Sequence, residues 1–131
     1  MTQYTEYISD CIVFLGRIGV NVEESDAFLR YCIEKSIFRI LNLTNIPDTV
    51  PPSLKYVLSS MACGYFLKDQ YTSGKLSSVF SFEKAVKSWS MGDTSYTYRD
   101  TISPEENFTA FLDKMIDGHM DEIIKFRRIK W

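Results

Sequence analysis

The stretch LKYVLSSMACGYFLKDQY, residues 54–71, decides the fold of this chain. Arranged as a helix, it presents apolar side chains on nearly every side: Leu54, Val57, Leu58, Met61, Ala62 and Tyr65 on one side, and Tyr56, Cys63, Phe66 and Leu67 on the others. A helix that is apolar all round is typical of a buried element. The sequence therefore predicts a central helix that the rest of the chain surrounds.

A seam of small residues runs along a second side of this helix and consists of Ser59, Ser60, Cys63 and Gly64. A glycine inside a helix costs about 1 kcal/mol relative to alanine. Close approach of a neighbouring backbone would explain why a glycine stands here. We therefore expect another helix to pack tightly against this seam.

Amphipathic helices are predicted on both sides of the central one. Residues 5–15 and 26–43 place apolar side chains at the i, i+3, i+4 spacing of one helix face. After the central helix, Ser103 and Glu106 form a capping box with Pro104 between them, and Gly118 interrupts the helix that follows. The predicted fold class is mainly α, a small bundle of four to five helices.

The one departure from this helical pattern is AVKSWSMGDTSYTYRD, residues 85–100. Its side chains alternate in character on both sides of Gly92-Asp93, a dipeptide suited to a two-residue turn. We therefore predict a protruding β-hairpin or extended loop at about residues 85–100, packed at its base on the third and fourth helices. One face of this ribbon collects Lys87, Trp89, Met91, Tyr96 and Tyr98.

Length and charge indicate one ordinary globular domain. The chain has 131 residues and a net charge of −2, which argues against a nucleic-acid binder held by bulk charge. No apolar run approaches the ~18 residues of a membrane helix, and no secretory signal is visible at the N-terminus. We expect a single domain over residues 1–131, with residues 72–100 as a loop or ribbon insertion and residues 125–131 as a basic tail.

No catalytic, metal or cofactor motif is recognisable in the sequence. A phosphate-binding glycine loop, a nucleophile elbow and a zinc-binding H-E-x-x-H are all missing. Cys11, Cys32 and Cys63 have no paired spacing, which predicts buried, reduced thiols in a reducing compartment. His119, the only histidine, is predicted to be a solvated helix residue. We therefore expect neither an enzyme nor a cofactor.

Tyr31 and Phe38 lie on the polar side of the second helix, among Glu34, Lys35 and Asn42. Two aromatic side chains seven residues apart on a helix occupy the same side, two turns from each other. Either another segment of the chain covers them or a second subunit does.

The C-terminal residues combine cations with aromatic side chains. KFRRIKW, residues 125–131, carries four cations and no acid. This composition suits phosphate contacts with nucleic acid, docking into a partner protein, or an ordinary solvated helix end.

The order of elements and one motif resemble a known family. Proline breaks at residues 46–47 and 51–52 precede the long apolar helix, VKSWSMGDTSYTY follows it at residues 86–98, and Arg-Arg-x-x-Trp closes the chain. This arrangement resembles the small head–tail connector (adaptor or head-completion) proteins of tailed bacteriophages and prophages. The family's K-S-x-x-x-G-D-x-S-x-x-Y/F stretch is matched by Lys87, Ser88, Gly92, Asp93, Ser95 and Tyr98.

The resemblance implies a structural protein of the virion and not an enzyme. Copies of such proteins form a ring, commonly of twelve, between the portal protein and the stopper or tail-completion protein. DNA passes through the ring without sequence-specific binding, and no membrane is involved. The implied location is the head–tail junction, after assembly in the cytoplasm of the bacterial host.

A ring protomer needs two different surface patches that meet head to tail. The predicted subunit-interface residues are Tyr31, Phe38, Trp89, Met91, Gly92, Asp93, Tyr96 and Tyr98. The predicted portal-docking tail consists of Lys125, Phe126, Arg127, Arg128, Lys130 and Trp131. The alternative is a small helical DNA-binding or regulatory protein that uses the same C-terminal cations.

Overall fold

The computed structural model describes residues 2–17, 20–23, 26–47, 49–74, 82–88, 96 and 98–127. Within these ranges the chain forms six α-helices and no strand, which confirms the prediction of a mainly α bundle. The helices are α1 (Thr2–Arg17), α2 (Ala27–Thr44), α3 (Lys55–Thr72), α4 (Phe82–Ser88), α5 (Pro104–Asp117) and α6 (Met120–Ile124), and a 3₁₀ turn (Pro52–Leu54) leads into α3.

Helix α3 lies at the centre of the bundle, as its apolar surface predicts. It packs against α1, α2 and α5. Its buried residues form an almost unbroken run of ten: Val57, Leu58, Ser59, Ser60, Met61, Ala62, Cys63, Gly64, Phe66 and Leu67. Such a run can be buried only where neighbouring helices cover several sides of the same helix.

The small-residue seam of α3 is the contact with α5. A Cβ atom built on Gly64 would lie 2.8 Å from Cγ1 of Ile116 and 3.2 Å from Cβ of Met115. The hydroxyl of Ser60 donates to the Met115 carbonyl at 3.4 Å. The predicted close approach at Gly64 is therefore confirmed, and α5 is the helix that makes it.

Local capping fixes where two of the helices begin. The Asp26 side chain accepts a hydrogen bond from the Leu29 amide at 2.9 Å and starts α2. The Ser103 hydroxyl accepts one from the Glu106 amide at 3.1 Å and starts α5, with Pro104 in its first turn. The Ser103 cap agrees with the sequence analysis.

The predicted hairpin is wrong over its first strand. Residues 85–88 belong to helix α4, which packs against α5. Phe82, Ala85 and Val86 follow the i, i+3, i+4 spacing of a helix, and burial of Ala85 and Val86 outweighs the short alternation farther along the motif. Residues 96 and 98–100 are not strand either, and residues 89–95 lie outside the described part of the chain.

One core contains buried apolar residues from all six described helices, from Tyr7 in α1 to Ile123 in α6. Between α5 and α6 the chain turns at Gly118 and His119. Among the described helices, none is both long and apolar enough to cross a membrane.

Candidate functional site

Tyr31 and Phe38 stand on the outward side of α2, and 57% of each residue is exposed. We call this pair the α2 face. No other described segment covers it, so the core places the two aromatic rings where the sequence analysis expected them. Large exposed apolar side chains gathered in one place mark a surface that a partner can cover.

A groove of about 630 Å³ runs beside the α2 face. Its lining is mostly apolar and aromatic, with charged groups at the rim: Tyr31, Glu34, Lys35, Phe38, Arg39, Asn42, Leu43 and Tyr65. A second hollow of about 320 Å³ shares Tyr31, Lys35 and Tyr65 with the first and continues toward Phe28 and Thr72. The two hollows together form one long depression along α2 and α3.

Arg39 fixes the wall of this groove by joining three helices. Its guanidinium donates to the Tyr65 hydroxyl at 2.8 Å and pairs with the Asp117 carboxylate at 2.6 Å. Burial alone would lower the pKa of Arg39, but the hydrogen bonds to Asp117 and Tyr65 outweigh it and raise this pKa. Arg39 therefore stays charged and is held by its own chain rather than offered to an anion.

The second cation of the groove, Lys35, also contacts a group of its own chain. Nζ of Lys35 lies 4.4 Å above the centre of the Tyr65 ring, within cation–π range. In the second hollow, the rings of Phe28 and Tyr31 stack with centres 5.9 Å apart. The groove is thus an aromatic surface with ordered charges at its edge, which suits a protein partner better than a small anion.

Tyr96 and Tyr98, the other described members of the predicted interface, are half-buried and pack against the core of their own chain. The Tyr96 hydroxyl donates to Asn107 at 2.9 Å, and its ring meets Phe111 edge-on with centres 6.1 Å apart. Tyr96 thus anchors this end of the motif to α5. Trp89, Met91, Gly92 and Asp93 lie outside the described residues.

The described part of the predicted tail leaves α6 in a turn. The amides of Phe126 and Arg127 donate to the carbonyls of Ile123 and Ile124 at 3.0 and 2.9 Å. Phe126 packs against the core, whereas Lys125 and Arg127 are exposed. Arg128, Lys130 and Trp131 lie outside the described residues.

The residues considered for chemistry occupy the interior. His119 is only 3% exposed, which corrects the prediction of a solvated histidine, because the turn between α5 and α6 carries the ring inward. Its Nδ1 lies 3.4 Å from the Glu122 carboxylate. In the described ranges, no three His, Cys, Asp or Glu side chains are grouped so that they could hold a metal ion.

The three cysteines are buried thiols, as predicted. Burial raises the pKa of Cys32 to about 12 and also raises that of Cys63, so both stay protonated near neutral pH. The Cys63 thiol donates to the Cys11 carbonyl at 3.9 Å. This hydrogen bond joins α1 to α3, and all three thiols are closed to solvent.

The exposure of three apolar residues in the described chain escaped the sequence analysis. Val13 on α1 is 61% exposed, Tyr56 at the start of α3 is 53% exposed, and Ile124 at the end of α6 is 48% exposed. A count of helix positions could have singled out Tyr56, because it is nine residues from Tyr65 and therefore points to the other side of α3.

A scan against protein-family models and searches of curated proteins and of solved structures gave no match to this chain.

Proposed function

We propose that this protein is a head–tail connector of a tailed bacteriophage or prophage. In this proposal it is a structural, non-enzymatic virion protein whose copies form a ring, with twelve the expected number, between the portal protein and a stopper or tail-completion protein. The ring extends the channel through which DNA passes without sequence-specific contact. Assembly takes place in the cytoplasm of the bacterial host.

The observation that carries the proposal is the motif VKSWSMGDTSYTY at residues 86–98, in its place after an apolar central helix and before a chain end with the sequence Arg-Arg-x-x-Trp. The mainly α architecture is compatible with the family that this arrangement resembles.

The surroundings of the motif lend it further support. Val86 is buried on one flank, and Tyr96 and Tyr98 pack into the core on the other. Both flanks reach the same helix, α5, through α4 and through the Tyr96–Asn107 hydrogen bond. Holding both flanks of the motif on α5 suits a connector that uses this motif to contact a neighbour.

The exposed aromatic side chains of the α2 face also favour assembly over a solitary protein. Tyr31 and Phe38 expose apolar surface to water. Burial of that surface against a partner would favour binding by about 25 cal/mol for each Å² removed from water. Their neighbours Lys35 and Arg39 are already ordered by Tyr65 and Asp117. A partner that covers this face would therefore bind a largely preformed surface.

Electron microscopy of the full chain mixed with the portal protein of the same phage tests the proposal. We expect a ring of this protein on the axis of the portal. Absence of a ring under every condition that keeps both proteins soluble would refute the proposal. A monomer in isolation would be expected, because the portal can serve as the template.

The role of the tail is tested by a truncation. A chain without residues 125–131 should keep its helical circular dichroism and lose portal binding. Lys114→Ala, which removes one exposed cation of α5, is the matched control and should bind normally. Normal portal binding by the truncated chain would count against a docking tail.

The exposed cations Lys125 and Arg127 favour one second candidate, a small DNA-binding or regulatory protein. For that function, DNA affinity should fall steeply as salt rises, and removal of residues 125–131 should abolish it. For a connector, DNA binding should be weak and should not depend on this segment.

A further inference from the structure

Four serine and threonine side chains are fully buried in the described part of the chain, and three of them have a hydrogen-bond partner. The hydroxyls of Ser36 and Thr44 donate to the carbonyls four residues earlier in α2, at 2.9 and 2.8 Å. The hydroxyl of Ser60 donates to the Met115 carbonyl at 3.4 Å. Oγ of Ser59 is the fourth, and it has no hydrogen-bond partner among the described residues. A buried hydroxyl in this position has lost its bonds to solvent without a replacement.

Ser59 lies on the side of α3 that α1 covers. Lys55, Ser59 and Cys63 follow one another at intervals of four residues and therefore share one side of α3. One turn before Ser59, Nζ of Lys55 lies 3.5 Å from Oδ2 of Asp10. One turn after it, the Cys63 thiol donates to the Cys11 carbonyl at 3.9 Å. The Cys11 thiol donates to the carbonyl of Ser59 itself at 3.8 Å. Asp10 and Cys11 of α1 thus enclose Ser59.

A second buried oxygen without a hydrogen bond lies at the same contact. It is Oδ2 of Asp10, which is closed to solvent although the Asp10 side chain as a whole is 27% exposed. The ammonium of Lys55, at 3.5 Å, is farther from Oδ2 than the usual length of a charge-assisted hydrogen bond. Both unpartnered oxygens therefore belong to the contact between α1 and α3.

The charges at this contact restrict what can bind there. A cation would meet the ammonium of Lys55, and an anion would meet the carboxylate of Asp10. A neutral molecule avoids both conflicts, but it must donate to Asp10 and accept from Ser59 or Lys55. Water is the smallest molecule that does both, and a buried water in a protein makes about three such bonds.

We propose that a buried water molecule is bound between α1 and α3 and joins the Ser59 hydroxyl to Oδ2 of Asp10. The water donates to Oδ2 and accepts from the hydroxyl, so one molecule satisfies both oxygens. The site belongs to the fold of a single copy and does not depend on the connector function. Together with the thiol contacts of Cys11 and Cys63, this water fastens α1 to the central helix.

A crystal structure of the full chain, at a resolution that shows ordered water, tests the site directly. We expect one water at about 2.7–3.0 Å from both Oγ of Ser59 and Oδ2 of Asp10. A direct hydrogen bond from Ser59 to Asp10 or to the Lys55 carbonyl would overturn the proposal. A site without a water would overturn it as well, and so would a metal ion, recognised by oxygen contacts of about 2.0–2.6 Å.

Thermal unfolding of two serine variants tests the same site through the sign of the change. Ser36→Ala is the matched control, because it removes one buried hydrogen bond and gains the same helix propensity as Ser59→Ala. If a water bonds Ser59, Ser59→Ala should lower the unfolding midpoint by about 2–4 °C, as Ser36→Ala does. If Oγ of Ser59 is unpaired, Ser59→Ala removes only an unfavourable buried group. The midpoint would then rise, which would contradict the proposal.

A third variant, Asp10→Ala, tests whether Asp10 and Ser59 share the water. In the Asp10→Ala background, Ser59→Ala should lower the midpoint by less than half as much as it does in the original chain, because the bridge is already broken. Ser36→Ala should have the same effect in both backgrounds. An equal effect of Ser59→Ala in both would show that Asp10 does not hold the water and would overturn the bridge.

Discussion

The side-chain oxygen of Asn107 accepts a hydrogen bond from the hydroxyl of Tyr96 at 2.9 Å. The same oxygen accepts the Arg99 amide at 2.8 Å, and the side-chain nitrogen of Asn107 donates to the Arg99 and Ser103 carbonyls at 2.8 and 3.1 Å. Asn107 is fully buried, and these four bonds occupy its whole hydrogen-bonding capacity. One amide thus ties the end of the motif, the loop after it and the cap of α5 together.

Asn107→Ala should lower the free energy of unfolding by about 3 kcal/mol, because it removes all four hydrogen bonds that the buried Asn107 side chain makes to Arg99, Ser103 and the Tyr96 hydroxyl. Tyr96→Phe removes only one of the four bonds and should cost about 1 kcal/mol. Urea unfolding followed by circular dichroism measures both changes. Equal costs for the two variants would mean that Asn107 does not hold the loop.

Gly64 and Gly16 form a matched pair of helical glycines. Gly64→Ala should destabilise the protein by about 1–3 kcal/mol, because the new methyl group would press on Ile116 and Met115 in α5. Gly16→Ala, with no atom within 4 Å of the added Cβ, should stabilise α1 by about 0.5 kcal/mol through helix propensity. Thermal unfolding of the two variants checks the opposite signs. A neutral Gly64→Ala would mean that α5 shifts freely.

Alkaline pH should destabilise the fold through its buried thiols. Burial raises the pKa of Cys32 from 9.0 to about 12, so the native state holds a proton that the unfolded chain releases. The stabilising effect is complete below the unfolded pKa and is lost as pH rises from 9.0 toward about 12. The slope should approach about 1.4 kcal/mol per pH unit for each such thiol.

Urea midpoints at about pH 8 and pH 10.5 would reveal this loss. The measurements should be made in a Tyr71→Phe variant. A hydrogen bond to Glu105 also raises the pKa of the Tyr71 hydroxyl, so Tyr71 would add its own pH dependence. In that background, Cys32→Ala should make the loss of stability with pH shallower by about 1.4 kcal/mol per pH unit and leave the contribution of Cys63 in place. An unchanged slope in Cys32→Ala would show that Cys32 does not titrate on unfolding.

Phe38→Asp should leave stability unchanged within about 0.5 kcal/mol, since the ring is 57% exposed. In the proposed connector it should nevertheless prevent ring formation on the portal, because it puts a charge where apolar contact is needed. Ile124→Asp, at another exposed apolar residue, is the control and should assemble normally. Electron microscopy of the two variants compares them directly. Normal rings with Phe38→Asp would show that the α2 face is not part of the subunit interface.

Helix content and the central role of α3 could be predicted because they follow from local patterning. Residues 54–71 are apolar on all sides, and the Ser103 capping box marks the start of α5 in four residues. The small residues around Gly64 also predicted a tight helix contact, although they did not indicate that α5 makes it. These signals lie within one helical element each and do not depend on long-range context.

The sequence-based predictions were wrong where the local side-chain pattern favours one structure and packing against distant helices favours another. Alternation after Ala85 favoured a strand, but Ala85 and Val86 gain more from burial against α5 as part of a helix. His119 looked solvated beside Asp117 and Asp121, yet the turn at Gly118 carries its ring into the bundle. Both outcomes depend on the position of α5, and a short stretch of sequence carries no information on that position.

The candidate site was predicted in part. Helical spacing alone placed Tyr31 and Phe38 outside the core, and both are exposed. The groove beside them depends on Tyr65 and Arg39, and Arg39 finds its partner Asp117 only after α2, α3 and α5 have packed together. A partner distant in the chain cannot be inferred from spacing.

Tyr56 and Tyr65 belong to one rigid helix, so the direction of each is fixed relative to the other. A partner that contacts Tyr56 and a partner that fills the groove beside Tyr65 would therefore approach α3 from opposite sides and would not compete for one surface.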